Sequence, residues 1–318
     1  MRQLYFPPRN MAVSARLILL LCTTVVCSLA ASGLEKRDDV CPQDAGDFAR
    51  VQQKAQGKDP AAETTLASCY DLGRHVQPNG RESIRLLTEA AEQGYAPAQY
   101  EIGRIYLYGR GIPADYQKAL LWEQKAAEQG DPRAQRDLAF MYERGFGVAP
   151  DPAQAAAWNR RAAAQGVPEA QLHLAKALDQ GSGVSKDPAE ARQWYAKAAK
   201  QDQPAAQLQL ARAYAQDADC RPAIHWYKQA AAGSESQAML ELGRLYLEKR
   251  CGADRAQAFL WFTIGARFGS QESRAEAEKL TPLLSAAQKK NARLTAEQWI
   301  KKHSGARKEE DQEEKDER

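Results

Sequence analysis

One spacing constrains this chain more than any other feature: 36 residues. From Ala98 the sequence reads AQYEIGRIYLYGRGIPADYQKALLWEQKAAEQGDPR, and a second copy, AQRDLAFMYERGFGVAPDPAQAAAWNRRAAAQGVPE, begins at Ala134. A third, AQLHLAKALDQGSGVSKDPAEARQWYAKAAKQDQPA, begins at Ala170. Ala62, Ala98, Ala134, Ala170 and Ala206 head five units at equal spacing, and a sixth starts at Ala238 after a unit shortened to 32 residues. A fixed period of this length is the mark of a solenoid, in which each unit buries its apolar face only against its neighbours.

Within a unit the periodicity is helical. Ala98, Ile102, Ile105 and Tyr106 return in the next copy as Ala134, Leu138, Met141 and Tyr142, so each unit opens with an amphipathic helix. The pairs Gly109 and Gly111, Gly145 and Gly147, and Gly181 and Gly183 stop that helix where positive φ is needed. Asp115, Asp151 and Asp187 then read as N-caps of a second helix, two of them followed by Pro152 and Pro188 at the first helical position. The second helix carries Ala119, Trp122, Ala126 and Ala127, matched by Ala155, Trp158, Ala162 and Ala163, and Gly94, Gly130, Gly166 or Gly269 closes it. The fold class predicted is all-α: an α-solenoid of αα-hairpins. The G-x-G pairs are not phosphate loops, because no strand precedes them and the P-loop lysine is missing.

These residues resemble the Sel-one-like repeat family, a branch of the tetratricopeptide-like helical repeats, with the pattern A-x-x-x-L-G-x-x-Y-x-x-G-x-G-V-x-x-D-x-x-x-A-x-x-W-x-x-x-A-A-x-x-G. The likeness spans about residues 62–273. The first unit departs from it with His75 at the second glycine and Leu86 at the tryptophan, and the fifth loses four loop residues near Cys220 and has Asp217 at the first glycine. The resemblance implies a right-handed superhelix of hairpins that scaffolds protein assemblies.

The flanks differ in composition. Arg2, Arg9 and Arg16 precede the apolar run Leu17 to Ala31, and Ser28 and Ala30 suit a cut, so residues 1–30 read as a secretory signal peptide. An uncleaved anchor, a lipid on Cys27 and a start at Met11 are the alternatives. Without those 30 residues the formal charge falls from +3 to zero, with 41 basic and 41 acidic residues, which removes any global electrostatic case for nucleic acid. Residues 31–61 are expected to hold an extension and a capping helix, with 44–57 resembling a lone second helix; 274–303 form C-terminal capping helices, and 304–318 a charged, disordered tail.

Outside the signal remain Cys41, Cys69, Cys220 and Cys251, an even number in a chain expected to be exported. Of three possible pairings, Cys220 with Cys251 joins matched loops of adjacent units, and Cys41 with Cys69 ties the extension to the first unit. A zinc site finds no support, since there is no C-x-x-C and the four histidines lie at unequal offsets. No cofactor is expected.

The tryptophans Trp122, Trp158, Trp194, Trp226 and Trp261 share one offset and are read as packing. The candidate partner-binding residues lie on the first helices. Arg104, Phe140, Lys176, Arg212 and Arg244 share one offset, with Glu101, Asp137, His173, Gln209 and Glu241 three residues before them. Stacking would place them on a concave wall as a ladder that is basic in four of five rungs; the plainer reading is a set of i, i+3 helix pairs. The function expected is a non-enzymatic scaffold that binds a protein of the cell envelope in its groove. A structural accessory of an envelope machine, such as a flagellar motor or polysaccharide exporter, and a cell-wall or β-lactam hydrolase are the alternatives, the last without an S-x-x-K or a recognisable triad. The sequence leaves oligomeric state open.

Overall fold

The computed structural model describes residues 41–316, with side chains as far as His303. The signal-peptide reading and most of the extension, residues 1–40, lie outside the described residues. Fifteen α-helices and two 3₁₀ turns make up the described chain, with no strand among them. Packing divides the chain into two compact units, one ending at Gln93 and one beginning at Gly94.

The first unit holds α1 (Ala45–Gln56) and the hairpin α2 (Pro60–Leu72) and α3 (Gly80–Glu92). Asp44 caps α1 through Gly46 N and Asp47 N, and Asp59 caps α2 through Ala61 N and Ala62 N. Cys41, just ahead of α1, is bonded to Cys69 in α2 across a Cα–Cα distance of 4.8 Å. His75, at the missing glycine, takes φ 62°, stacks on Phe48 at 4.9 Å and lies 2.9 Å from Pro42 O through Nε2. The strained backbone is held by contacts to the extension.

The second unit stacks five hairpins. They are α4 (Ala96–Tyr108) with α5 (Tyr116–Glu128), α6 (Pro132–Arg144) with α7 (Pro152–Ala164), α8 (Pro168–Gln180) with α9 (Pro188–Ala199), α10 (Pro204–Gln216) with α11 (Cys220–Ala232), and α12 (Ser236–Leu245) with α13 (Arg255–Arg267). The C-terminal helices are α14 (Gln271–Leu280) and α15 (Ala286–Asp316). Asp115, Asp151 and Asp187 cap α5, α7 and α9 through side-chain bonds, at 2.9 Å for Asp151 to Ala153 N. The second glycine of two of these pairs has a packing reason as well as a conformational one: a Cβ on Gly147 would sit 2.2 Å from Tyr116 O, and one on Gly183 2.1 Å from Pro152 O. The loop of one hairpin therefore lies directly on the start of the preceding second helix.

Alanines at the inner positions, Ala119, Ala126, Ala134, Ala162, Ala170, Ala198 and Ala206 among them, are completely buried and let helices approach closely. Trp158 and Trp261 are buried, whereas Trp122, Trp194 and Trp226 are only partly so. The exposed faces of three of them carry cations one turn on: Lys125 over Trp122 at 4.1 Å, Arg161 over Trp158 at 4.3 Å and Lys197 over Trp194 at 3.7 Å. The indole thus packs on one side and is covered by its own helix on the other.

A second ladder was not read from the sequence. Gln129 Nε2 donates to Gln99 Oε1 at 2.7 Å, Gln165 to Gln135 at 2.8 Å and Gln201 to Gln171 at 3.0 Å, each across 30 residues. Gln135 and Gln171 then donate to Ala127 O and Ala163 O. Buried amides that would cost free energy alone are satisfied in sequence, so each hairpin is keyed to the next. In the first unit Glu63 replaces the inner glutamine and accepts from Gln93 at 2.8 Å.

In the shortened fifth repeat α10 ends at Gln216, Ala218 turns with φ 61° and α11 begins at Cys220. The glycine loop is gone. Cys220 is instead bonded to Cys251 in the 3₁₀ turn Lys249–Cys251, across a Cα–Cα distance of 5.4 Å. In the charged C-terminal segment the backbone continues α15 to Asp316. Glu, Lys, Gln and Arg are strong helix formers, and helix propensity needs no apolar face once a preceding helix supplies the nucleus.

Candidate functional site

Positions separated by three, four and seven residues share a helix face, so each first helix of the second unit contributes one row to a common surface. On α4 the row is Glu101, Arg104 and Tyr108; on α6 it is Arg133, Asp137, Phe140 and Arg144; on α8 it is His173 and Lys176. On α10 and α12 the corresponding rows hold Arg212 and then Glu241 and Arg244. The five residues picked out by the repeat register thus come from five successive first helices. Their surroundings divide them into two groups.

In the first group Arg104, Arg110 and Arg144 make no ion pair among the described residues, whereas Arg133 pairs with Asp131 at 2.9 Å and with Glu101 at 3.8 Å. The Arg104 guanidinium lies 5.7 Å from the Tyr100 ring and 5.5 Å from the Tyr108 ring, and its buried Nε has no hydrogen-bond partner. Arg133 stacks over Tyr100 at 4.3 Å, Arg110 over Tyr108 at 5.7 Å and Arg144 over Phe140 at 5.7 Å. Burial, with Asp137 next, pushes the Tyr100 phenol up to about 12. Phe140 meets Phe146 edge-on at 5.6 Å, and Phe146 stacks on Tyr116 at 4.8 Å. Tyr108 is 54% exposed and Tyr116 is 43% exposed. Lys176 is partly buried and makes no ion pair among the described residues.

In the second group the cations are spent inside the protein. Arg212 Nε donates to Glu241 Oε2 at 2.9 Å, 29 residues ahead on the next first helix, and Tyr227 Oη and Gln237 Nε2 each donate to the same carboxylate at 3.0 Å. Arg244 is paired with Glu272 on α14. On its own helix the residue three before Arg212 is the uncharged Gln209. The acid that matters lies at that offset in the following repeat, a signal available once register is considered between units.

Other titratable groups lie apart from this face. Glu123, on α5, is fully buried with both carboxylate oxygens unpartnered, and burial, reinforced by Asp137 and Asp131, holds its pKa well above the usual carboxylate range. His303 stacks on Trp299 at 4.2 Å and His225 meets Trp226 edge-on at 5.0 Å, while His173, on the face itself, pairs with Glu143 at 3.2 Å. Among the described residues no group of three His, Cys, Asp or Glu side chains is placed to hold a metal, and no helix is long and apolar enough to cross a membrane.

Consecutive αα-hairpins keyed by a 36-residue register define a helical repeat protein of the solenoid class. A family profile for the Sel1 repeat matches residues 60–95, 96–131, 132–167, 168–203, 204–234 and 236–269, and the chain belongs to that family, whose repeats generally mediate protein–protein interaction. Among solved structures, the chain is similar to c5321, a protective antigen of uropathogenic Escherichia coli strains, at 30% identity and a TM-score of 0.69. That match covers 81% of this chain and only 56% of the antigen. It is also similar to a Sel1 repeat protein of Oxalobacter formigenes at 32% identity and a TM-score of 0.56, covering 66% of this chain and 88% of that one. Comparison with curated proteins returned no match.

Proposed function

We propose that this chain is a non-enzymatic scaffold that binds a protein of the cell envelope through the first-helix face of its second unit, with Arg104, Tyr108, Phe140 and Lys176 as the contact residues. One observation carries the reading. Arginines meet the exposed Tyr108 on α4 and the half-buried Phe140 on α6, and protein-binding hot spots are built from this chemistry. Tyrosine and arginine held against each other are already ordered, so less side-chain entropy is lost on binding.

The rest of the ladder takes a different role. Arg212 and Arg244 are neutralised by Glu241 and Glu272, which leaves them to fasten one repeat to the next and the last repeat to α14. Export rests on the N-terminal basic and apolar run together with the two cysteine pairs at bonding distance, which persist in an oxidising compartment.

The test is capture of partners from native envelope by the full chain, comparing an Arg104→Ser, Tyr108→Ala double variant with Arg244→Ser. The first is expected to lose the captured protein and the second to retain it. Equal capture by all three would refute this assignment of the face.

A further inference from the structure

The C-terminal end of the second unit carries a basic cleft that the repeat pattern does not account for. The last hairpin has no following repeat, and α15 covers it instead, fastened by buried Ala292 and Ala296 and by Trp299, which meets Trp261 at 5.7 Å and Phe268 at 5.9 Å. Where α13, α14 and α15 diverge, three depressions of about 430, 190 and 260 Å³ adjoin one another. Arg293 lines all three, Thr281 joins the first to the third, and Thr263 and Arg267 join the second to the third. The result is a continuous track with Arg293 at its middle.

Five cations line the track: Arg267 from α13, Arg274 from α14, and Lys289, Lys290 and Arg293 from α15. Two acids, Glu278 and Glu297, do so as well. Lys289 Nζ lies 3.4 Å from Thr281 O. Arg267, Arg274, Lys290 and Arg293 are exposed, and none of their side chains makes an ion pair or hydrogen bond among the described residues. Arg160, Arg192, Arg212 and Arg244 elsewhere in the unit each hold a carboxylate, whereas here four unpaired cations from three helices converge on one track. Gathering like charges from three helices without internal partners opposes folding, and an external anion relieves it.

The chemistry narrows the ligand. The Thr263 and Thr281 hydroxyls already donate to Phe259 O at 2.7 Å and Ala277 O at 2.9 Å, so they do not add donors for an anion, and recognition falls to the cations. Guanidinium groups pair two-pronged with carboxylates. The track runs past Arg293 in both directions, which suits a chain of carboxylates better than one small ion. Leu294, 47% exposed, lines the widest depression and offers an apolar contact beside the charges. We propose that this cleft binds an extended acidic peptide segment of a partner protein. The site is separate from the first-helix face and stands or falls independently of it.

A short fluorescein-labelled peptide of alternating Asp and Glu is titrated with the full chain and followed by fluorescence anisotropy. An Arg267→Ser, Arg293→Ser variant is expected to bind it about five- to tenfold more weakly, with a shallower salt dependence, as for loss of two charge contacts at an interface. Lys186→Ser with Lys200→Ser removes the same charge from exposed positions elsewhere and is expected to change affinity less than about twofold. Melting curves check that both variants keep the parent fold. Equal weakening by the two variants, or no binding by the parent chain, would overturn the proposal. So would displacement of the peptide by inorganic phosphate at comparable concentration, or capture of anionic lipid vesicles by the parent in preference to the peptide.

Discussion

Replacing Arg212 by methionine keeps most of the aliphatic stem and deletes the guanidinium. The carboxylate it serves, Glu241, is 18% exposed, and the Arg212 side chain 34%. Deleting a charge-assisted hydrogen bond costs about 1.5–3 kcal/mol, and the partial exposure of the guanidinium lowers that to about 1–2 kcal/mol. Glu241 keeps its donors Tyr227 and Gln237, so it is weakened rather than orphaned. Arg244, whose pair with Glu272 is 44% and 58% exposed, gives the comparison: its methionine variant should cost no more than about 0.5 kcal/mol. Urea unfolding followed by circular dichroism measures both, and a double-mutant cycle with Glu241→Gln isolates a coupling of about 1 kcal/mol. Burial raises the Glu241 pKa, but hydrogen bonds from Arg212, Gln237 and Tyr227 outweigh it and the net direction is downward from 4.5. A depressed carboxylate stabilises the fold above its ordinary pKa and loses that contribution as pH falls through the folded value, so the Arg212 effect should fade in acid. Equal midpoints for the two methionine variants, or a coupling that persists in strong acid, would refute the argument.

Trp158→Ala should cost about 3–5 kcal/mol, because it empties a large buried site, whereas Trp122→Ala, at a partly exposed position, should cost less; thermal melts rank the two. For Glu123 the shift runs upward, so the folded state binds its proton more tightly and the parent loses stability as pH rises above the ordinary 4.5 toward the folded value. Glu123→Gln removes that dependence, and its melting midpoint should gain on the parent as pH rises; parallel curves would show that the carboxyl is solvated. Reduction of Cys41–Cys69 and Cys220–Cys251, which close separations of 28 and 31 residues, should remove about 3–4 kcal/mol each by the chain-entropy argument, read from melts with and without reductant.

The repeat register carried most of the architecture because a period expresses itself in every copy. Asp115, Asp151 and Asp187 cap their helices where the pattern placed them, and the paired glycines turn where positive φ is required. What could not be read were contacts, within a hairpin or between neighbouring hairpins, that share no short sequence spacing. The Gln99–Gln129 and Gln135–Gln165 pairs span 30 residues, and Arg212 reaches 29 residues ahead to Glu241. Seen along one helix, Arg212 is another exposed cation; seen across the stack, it is a clasp. The basic cleft around Arg293 lies in the capping helices, where the period has ended and offers no register to align its cations.

A photo-crosslinking amino acid placed at Tyr108 tests the binding face most directly, with the same group at Gln154 on the opposite helix layer of the unit as the comparison. Irradiation of the full chain in its native envelope is expected to yield one discrete adduct from position 108 and none from position 154. Adducts from position 154 alone, or the same adduct from both, would contradict a scaffold that binds through Arg104, Tyr108, Phe140 and Lys176.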